Sequence, residues 1–227
     1  METSLHRQLK SLYATADAQQ EVPLDGFRID VVSDGQLVEI QHGSLAAIRD
    51  KIRKLLVRHR VLVVKPLVVR KHLIKLDEAG GRVIERRLSP KQGGVLSLFD
   101  ELVYFTSVFP HKNLTLETPL VEIEEWRFPG HGRRRRWRHN DHEVADQKLV
   151  AVIETLRFHK AADLLRLLPP QLASPFHTGL LATGLSVRRG IAQRIAYCLR
   201  QTGAVKEVGK SGNARLYQFA TRRKRAG

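Results

Sequence analysis

A single cysteine, Cys198, in 227 residues excludes an internal disulfide and any metal site built on a cysteine cluster. Long apolar runs are also lacking. The longest candidate, residues 61–69, is interrupted by Lys65 and Pro66 and falls short of the ~18 residues of a membrane span. The opening Met-Glu leads straight into an amphipathic pattern without the hydrophobic core of a signal peptide, so no membrane or secretory role is expected. No P-loop, G-x-G-x-x-G or Ser/His/Asp triad signature is present. Wholesale disorder is excluded by 42% hydrophobic and 27% charged residues.

Acid is scarce in one half only. Residues 1–126 hold 18 basic and 17 acidic residues, whereas residues 127–227 hold 21 basic and 6 acidic ones. Nearly all of the net charge of +16 therefore sits in the second half. That asymmetry points to a polyanion partner there, nucleic acid first. At ~150 residues per domain, the length suits one medium domain plus a small one.

Leu5, Leu9, Leu12 and Tyr13 fall at helical spacing and predict an opening helix. Residues 27–32 alternate as a strand, Ser33-Asp34-Gly35 supplies hairpin turn chemistry, and residues 36–41 form the return strand. Ser44 is placed to cap a long helix through about His59, and residues 61–69 read as one buried strand. A hairpin is expected around residues 78–81, a helix over 95–109, a strand over 114–128 and a further apolar element over 149–158. The predicted class is α/β (α+β).

Asp30 lies in the first strand of the early hairpin and Glu39 in the second, within otherwise apolar surroundings (Leu37, Val38, Ile40). Charges are rarely buried there without a partner or a metal. Two carboxylates converging at a hairpin end suit Mg²⁺ (or Mn²⁺), which prefers oxygen ligands and keeps waters for catalysis. Glu2 and Glu21 could add a further acid, but the sequence does not distinguish them from surface residues.

The pattern Ile29-Asp30-Val31, then Glu39-Ile40-Gln41, then a helix and a Lys-bearing strand, resembles the PD-(D/E)XK restriction-endonuclease-like nuclease superfamily. The match spans about residues 5–70, in the order αβββαβ if a short strand lies near residues 21–24. The resemblance implies a metal-dependent nuclease in which Asp30, Glu39 and the Ile40 carbonyl hold the ion. Gln41 stands where the family usually has lysine. Lys65 on the next strand is the candidate substitute, with Lys51 weaker, and an inactive nuclease fold that only binds DNA is the alternative.

From residue 160 onward the signals read short helix over residues 161–168, Pro169-Pro170, and a second helix opened by Ser174-Pro175. A Gly184 turn, a third helix over residues 187–201 with Ile191, Ile195, Cys198 and Leu199 inward, Gly203 and a β-hairpin come next. This order resembles a winged helix-turn-helix domain. The resemblance implies that the third helix enters the major groove, offering Arg188, Arg189, Gln193, Arg194, Tyr197 and Arg200, while Lys206, Lys210 and Arg215 on the wing meet the backbone. Arginine and glutamine can read base edges with paired hydrogen bonds, and lysine mainly positions on phosphates. Cys198 reads as a small core residue.

Between the two parts, Arg133, Arg134, Arg135, Arg136, Trp137 and Arg138 form a basic arm suited to a phosphate backbone, with Trp137 available for stacking. His131, His139, His142 and Asp141 are a weak alternative as a zinc or HNH-type site, because no cysteines assist and the arginines around them repel a cation. The expected organisation is a core over residues 1–158 including an arm at 129–142, a winged helix over 159–220 and a basic tail at 221–227. The expected protein is cytoplasmic, nucleoid-associated if prokaryotic, and binds double-stranded DNA in preference to RNA. A homodimer is expected from the nuclease resemblance, because duplex cleavage often needs two sites.

Overall fold

The structure, a computed structural model, describes residues 3–130 and 141–220. It is a mixed α+β fold built on a large mixed sheet with several helices. No helix among the described residues is long and apolar enough to cross a membrane. The sheet has the strand order β1-β2-β3-β4-β7-β5-β6, with β8 paired to β7. These strands are Gln19–Leu24 (β1), Phe27–Ser33 (β2), Gln36–Ile40 (β3), Arg60–Val64 (β4), Leu67–Leu76 (β5), Val83–Leu88 (β6), Leu114–Pro129 (β7) and His142–Phe158 (β8). β1 through β3 pair antiparallel, as do β5 and β6, whereas β5 and β7 run parallel.

The chain divides into two compact units. The first comprises Met1–His42, Val64–Val95 and Thr118–Leu156. It opens with helix α1 (Ser4–Tyr13), capped by the Thr3 hydroxyl, which accepts from the His6 N–H. Leu5 and Leu9, one turn apart, are fully buried, and α1 packs on β2 and β3. The β2–β3 turn has the expected chemistry, with Asp34 and Gly35 both at positive φ, +50° and +67°.

The second unit comprises Gly43–Val63, Leu96–Glu117 and Arg157–Gly227. Ser44 caps as expected, but in place of one long helix it opens a 3₁₀ turn (Leu45–Ile48) that leads into a short helix α2 (Arg49–Leu55). Residues 95–109 are likewise not one helix. They form a 3₁₀ turn (Val95–Ser97), helix α3 (Leu98–Leu102) and then tight turns in which Phe105 donates to Leu102 and Val108 to Phe105. Val103, Tyr104, Phe105 and Thr106, β-branched or aromatic, lose rotamer freedom in a helix and extend it poorly.

The expected single strand over residues 61–69 is two strands, β4 and β5. Pro66 has no N–H for a sheet ladder and restricts the backbone of Lys65 before it, so the ladder is interrupted at these two residues. The second unit ends with a 3₁₀ segment (Ala161–Leu167), helix α4 (Thr178–Leu185), helix α5 (Arg189–Gln201) and the hairpin Val205–Ser211 (β9) and Ala214–Phe219 (β10). α4 starts later than Ser174-Pro175 predicts. Phe176 is fully buried and exchanges backbone hydrogen bonds with Tyr217, which keeps the chain extended there. The cap is instead His177, whose Nδ1 accepts from Gly179 and Leu180. Gly203, at φ +79°, succeeds α5 in the left-handed conformation that glycine tolerates best.

Candidate functional site

The acidic hairpin lies wholly in the first unit. Val31 pairs with Val38, Val32 with Leu37 and Ser33 with Gln36, and Asp30 and Glu39 are the next residues along on the two strands. Asp30 is held from two sides. Its Oδ2 accepts the Ile40 N–H at 2.7 Å, and its Oδ1 lies 3.4 Å from Nε2 of His6 on α1. Glu39 is only 6% exposed, a position that a glutamate side chain occupies only with strong compensation.

Gln41 donates its N–H to the Val64 carbonyl at 2.9 Å, which ties the end of β3 to β4. The next residue after Val64 is Lys65, 4% exposed, whose ammonium donates to the His42 carbonyl at 2.9 Å. A buried cation thus sits on the backbone just beyond Gln41. Lys51, the weaker candidate, is half-buried on α2 in the other unit. The His42 imidazole is held below its usual pKa, first by burial and then by the charges of Lys65, Lys71 and His6, against the pull of Glu125. Those four charged groups and His42 therefore share one electrostatic neighbourhood.

Glu125 on β7 is the part of this neighbourhood that sequence reasoning missed. Burial alone would raise its pKa. Hydrogen bonds from Lys71, Arg127 and Gln147 outweigh burial and bring it down to about 2. The donors are Lys71 Nζ at 2.5 Å, Arg127 Nε at 2.7 Å and Gln147 Nε2 at 3.0 Å. A second missed group joins α1 to β1. Lys10, buried on α1, is ion-paired with Glu21, which also meets Arg28. The hydrogen bond from Lys10 is the main reason that the Glu21 carboxyl titrates below its usual value. Glu21 sits at φ +56° inside a strand, a strained conformation for a glutamate. His6 and Lys10 are four residues apart on α1, flanking Leu5 and Leu9, and that spacing was the only signal available for them.

The donor chemistry fits a hard divalent cation. Asp30 and Glu39 offer carboxylate oxygens and Ile40 a carbonyl oxygen, and the Ile40 N–H holds the Asp30 carboxylate in place. Among the described residues no group of three or more His, Cys, Asp or Glu side chains gathers to hold an ion.

In the second unit, Arg188 at the N-cap of α5 and Arg189, Gln193 and Tyr197 along the helix are exposed, as are Lys206 and Lys210 along β9. Three of the expected DNA contacts are already engaged within the unit. Arg194 is ion-paired with Asp100, while Arg200 and Arg215 both meet Glu207, at 3.6 and 3.2 Å. Ile191, expected inward, is 36% exposed. The apolar face of α5 is Ala192, Ile195, Ala196, Cys198 and Leu199, one position further along. Cys198 is fully buried, its Sγ 3.7 Å from the Phe99 carbonyl, and burial pushes its thiol up to about 12, so it is no nucleophile. Glu2, His131, His139 and the arm carrying Arg133 to Arg138 with Trp137 lie outside the described residues.

No solved structure matches the chain. An uncharacterized protein of Treponema pallidum (strain Nichols) is 32% identical over 219 residues, which cover 96% of this chain and 85% of that protein. The model of the family described as "Domain of unknown function (DUF8091)" matches residues 3–159. Residues 3–159 hold all of the acidic hairpin, Lys65 and the Glu125 network, and the chain belongs to this DUF8091 family.

Proposed function

We propose that this chain is a cytoplasmic DNA-binding protein that hydrolyses phosphodiester bonds with a divalent metal, on a restriction-endonuclease-like core docked to duplex DNA by a C-terminal winged helix. The observation that carries the reading is the placement of the Lys65 ammonium on the His42 carbonyl, three residues beyond the buried carboxylate of Glu39. The observed order α1, β1, β2, β3, α2, β4 is the αβββαβ order that the nuclease resemblance calls for. The succession of the 3₁₀ segment, α4, turn, α5 and hairpin supports the winged-helix resemblance.

In this reading Asp30, Glu39 and the Ile40 carbonyl hold Mg²⁺ or Mn²⁺. The ion, when bound, lowers the pKa of a water and offsets charge growing on the phosphate. Asp30 is oriented by the Ile40 N–H, and Glu39 is kept from bulk solvent. Lys65, fixed on a backbone carbonyl, supplies the positive charge that Gln41 lacks, and Gln41 orients water or the scissile phosphate through its amide. Arg188, Arg189, Gln193 and Tyr197 meet the duplex, with Lys206 and Lys210 on the adjacent backbone.

A second reading, a regulator that binds DNA without cutting it, is favoured by Gln41 itself, a neutral residue where the nuclease resemblance expects lysine. One experiment separates the two. Plasmid DNA is incubated with wild type, Asp30→Ala and Glu39→Ala in Mg²⁺ or Mn²⁺, with binding measured in parallel. Cleavage by wild type alone supports the nuclease. Binding by all three without cleavage supports the regulator, and absence of duplex binding overturns both.

A further inference from the structure

β8 has β7 as its only strand neighbour among the described residues. From Val150 to Thr155 six consecutive residues are exposed, so both faces of the strand meet solvent. Val150 is 51% and Ile153 58% exposed, and Val152 is exposed as well. An apolar edge strand of this kind, with no proline or bulging glycine, is a template for another strand.

The outer edge can be located. The Leu149 N–H donates to the side-chain oxygen of Gln8 on α1 at 2.8 Å, not to a strand, so Leu149 presents its backbone groups away from β7. By strand alternation Ala151 and Ile153 present theirs on the same edge. Gln8 is exposed and caps the Leu149 N–H within the chain, so the pairing requires its amide to give way to a partner strand's carbonyl.

The segment reads Lys148-Leu149-Val150-Ala151-Val152-Ile153-Glu154, and it is chemically self-complementary when reversed. Two copies run antiparallel about Ala151 set Lys148 against Glu154, Leu149 against Ile153 and Val150 against Val152, each twice. Lys148, Val150, Val152 and Glu154 share one face, so the apolar pairs lie between two ion pairs of opposite polarity. Within the chain, Lys148 rests on the Trp126 ring at 4.0 Å, and Glu154 has no ion-pair partner among the described residues.

We propose that residues 148–154 of β8 pair antiparallel with the same residues of a second copy of this chain, about a two-fold axis at Ala151. A two-fold contact of this kind closes on itself, which converts an aggregation-prone edge into a discrete dimer. The interface stands independently of the nuclease reading, so a dimer that cuts no DNA leaves it intact.

Sedimentation velocity of the full chain over a concentration series tests the interface. Wild type is expected to form a dimer. Lys148→Glu sets Glu against Glu twice and Glu154→Lys sets Lys against Lys twice, so each variant alone is expected to weaken dimerisation about tenfold or more. An equimolar mixture of the two restores opposite charges in both pairs and is expected to recover the dimer, as is the double variant. Ile153→Ser, at an exposed position, provides an independent weakening, and circular dichroism confirms that each variant is folded. Monomeric wild type, single variants that dimerise unchanged, or a mixture that remains monomeric would each overturn the proposal.

Discussion

The Lys65 ammonium and the His42 carbonyl, 2.9 Å apart, fasten a buried positive charge to the backbone immediately beyond the acidic hairpin. The contact constrains both partners. Withdrawing Lys65 removes this donor from the His42 carbonyl, and the carbonyl in turn fixes where the charge sits. Lys65→Ala is expected to lower stability by about 1–3 kcal/mol through the lost donor. Lys65→Met, which keeps the apolar stem, should lose less. If the nuclease reading holds, both variants lose cleavage by about 100-fold or more, the scale of removing a preorganised charge donor. Urea denaturation and plasmid nicking separate the two effects, and a fully active Lys65→Met would remove Lys65 from the chemistry.

Glu21 opposes two tendencies in one residue. Its φ of +56° suits glycine, so Glu21→Gly relieves backbone strain by roughly 1–2 kcal/mol. The same change removes the carboxylate that accepts from buried Lys10, and losing a hydrogen bond to a charged group costs about 1.5–3 kcal/mol. The second effect is larger, so Glu21→Gly is expected to destabilise. Combining it with Lys10→Met removes the charge and the strain together and is expected to recover most of the loss. Thermal melts of the three variants check this ordering, and a single Glu21→Gly variant that melts higher than wild type contradicts it.

Glu125 makes stability depend on acid. Its folded pKa, about 2, lies below its ordinary value of 4.5. The stabilisation is therefore complete above the unfolded value and is lost as pH falls from about 4.5 through 2, with an upper bound of about 3 kcal/mol. Glu125→Gln is expected to flatten that part of the curve while lowering stability at neutral pH, because Lys71 and Arg127 lose their shared acceptor charge. Denaturant midpoints measured between pH 2 and 7 read both changes. Parallel curves for the two proteins would assign the acid sensitivity elsewhere.

The hairpin carrying Asp30 and Glu39 is legible in the sequence because its signals are local: alternation on both strands, joined by Ser33-Asp34-Gly35. The Ser44 cap and Gly203 are legible for the same reason. Glu125 is not, since its three donors come from β5, β7 and β8, and only the assembled sheet brings them together. The Lys10–Glu21 pair was hidden behind an amphipathic helix pattern that identifies Leu5 and Leu9 but says nothing of what the flanking residues meet. Asp100 lies 94 residues from Arg194, so no spacing rule could reserve that arginine. The two strands at residues 60–76 are partly written in Pro66, yet a continuous β-branched run masks the effect of one proline.

Cys198 is expected to be silent toward thiol reagents in the folded protein, because burial keeps its thiol near 12 and encloses it. The reagent should label it only in denaturant, at a rate limited by unfolding. Cys198→Ser places a stronger hydrogen-bonding group in the same apolar setting and is expected to destabilise by about 1–3 kcal/mol, with Cys198→Ala milder. Rapid labelling under native conditions would show that α5 opens from its packing partners.

The ion pairs around α5 make the DNA-binding reading more specific than a count of arginines. Glu207 occupies Arg200 and Arg215, and Asp100 occupies Arg194, so the arginines at the start of the helix, Arg188 and Arg189, are expected to contribute most. Arg189→Ala should therefore weaken duplex binding more than Arg194→Ala. Glu207→Gln frees two cations from exposed pairs worth at most about 1 kcal/mol, so affinity is expected to rise about two- to fivefold. The rise should be accompanied by a steeper salt dependence, because freed arginines that reach phosphates release additional counterions. Fluorescence anisotropy with a short duplex at several salt concentrations measures both quantities. Unchanged affinity and slope in Glu207→Gln would mean that Arg200 and Arg215 face away from the nucleic acid, and the wing would lose its assigned contact.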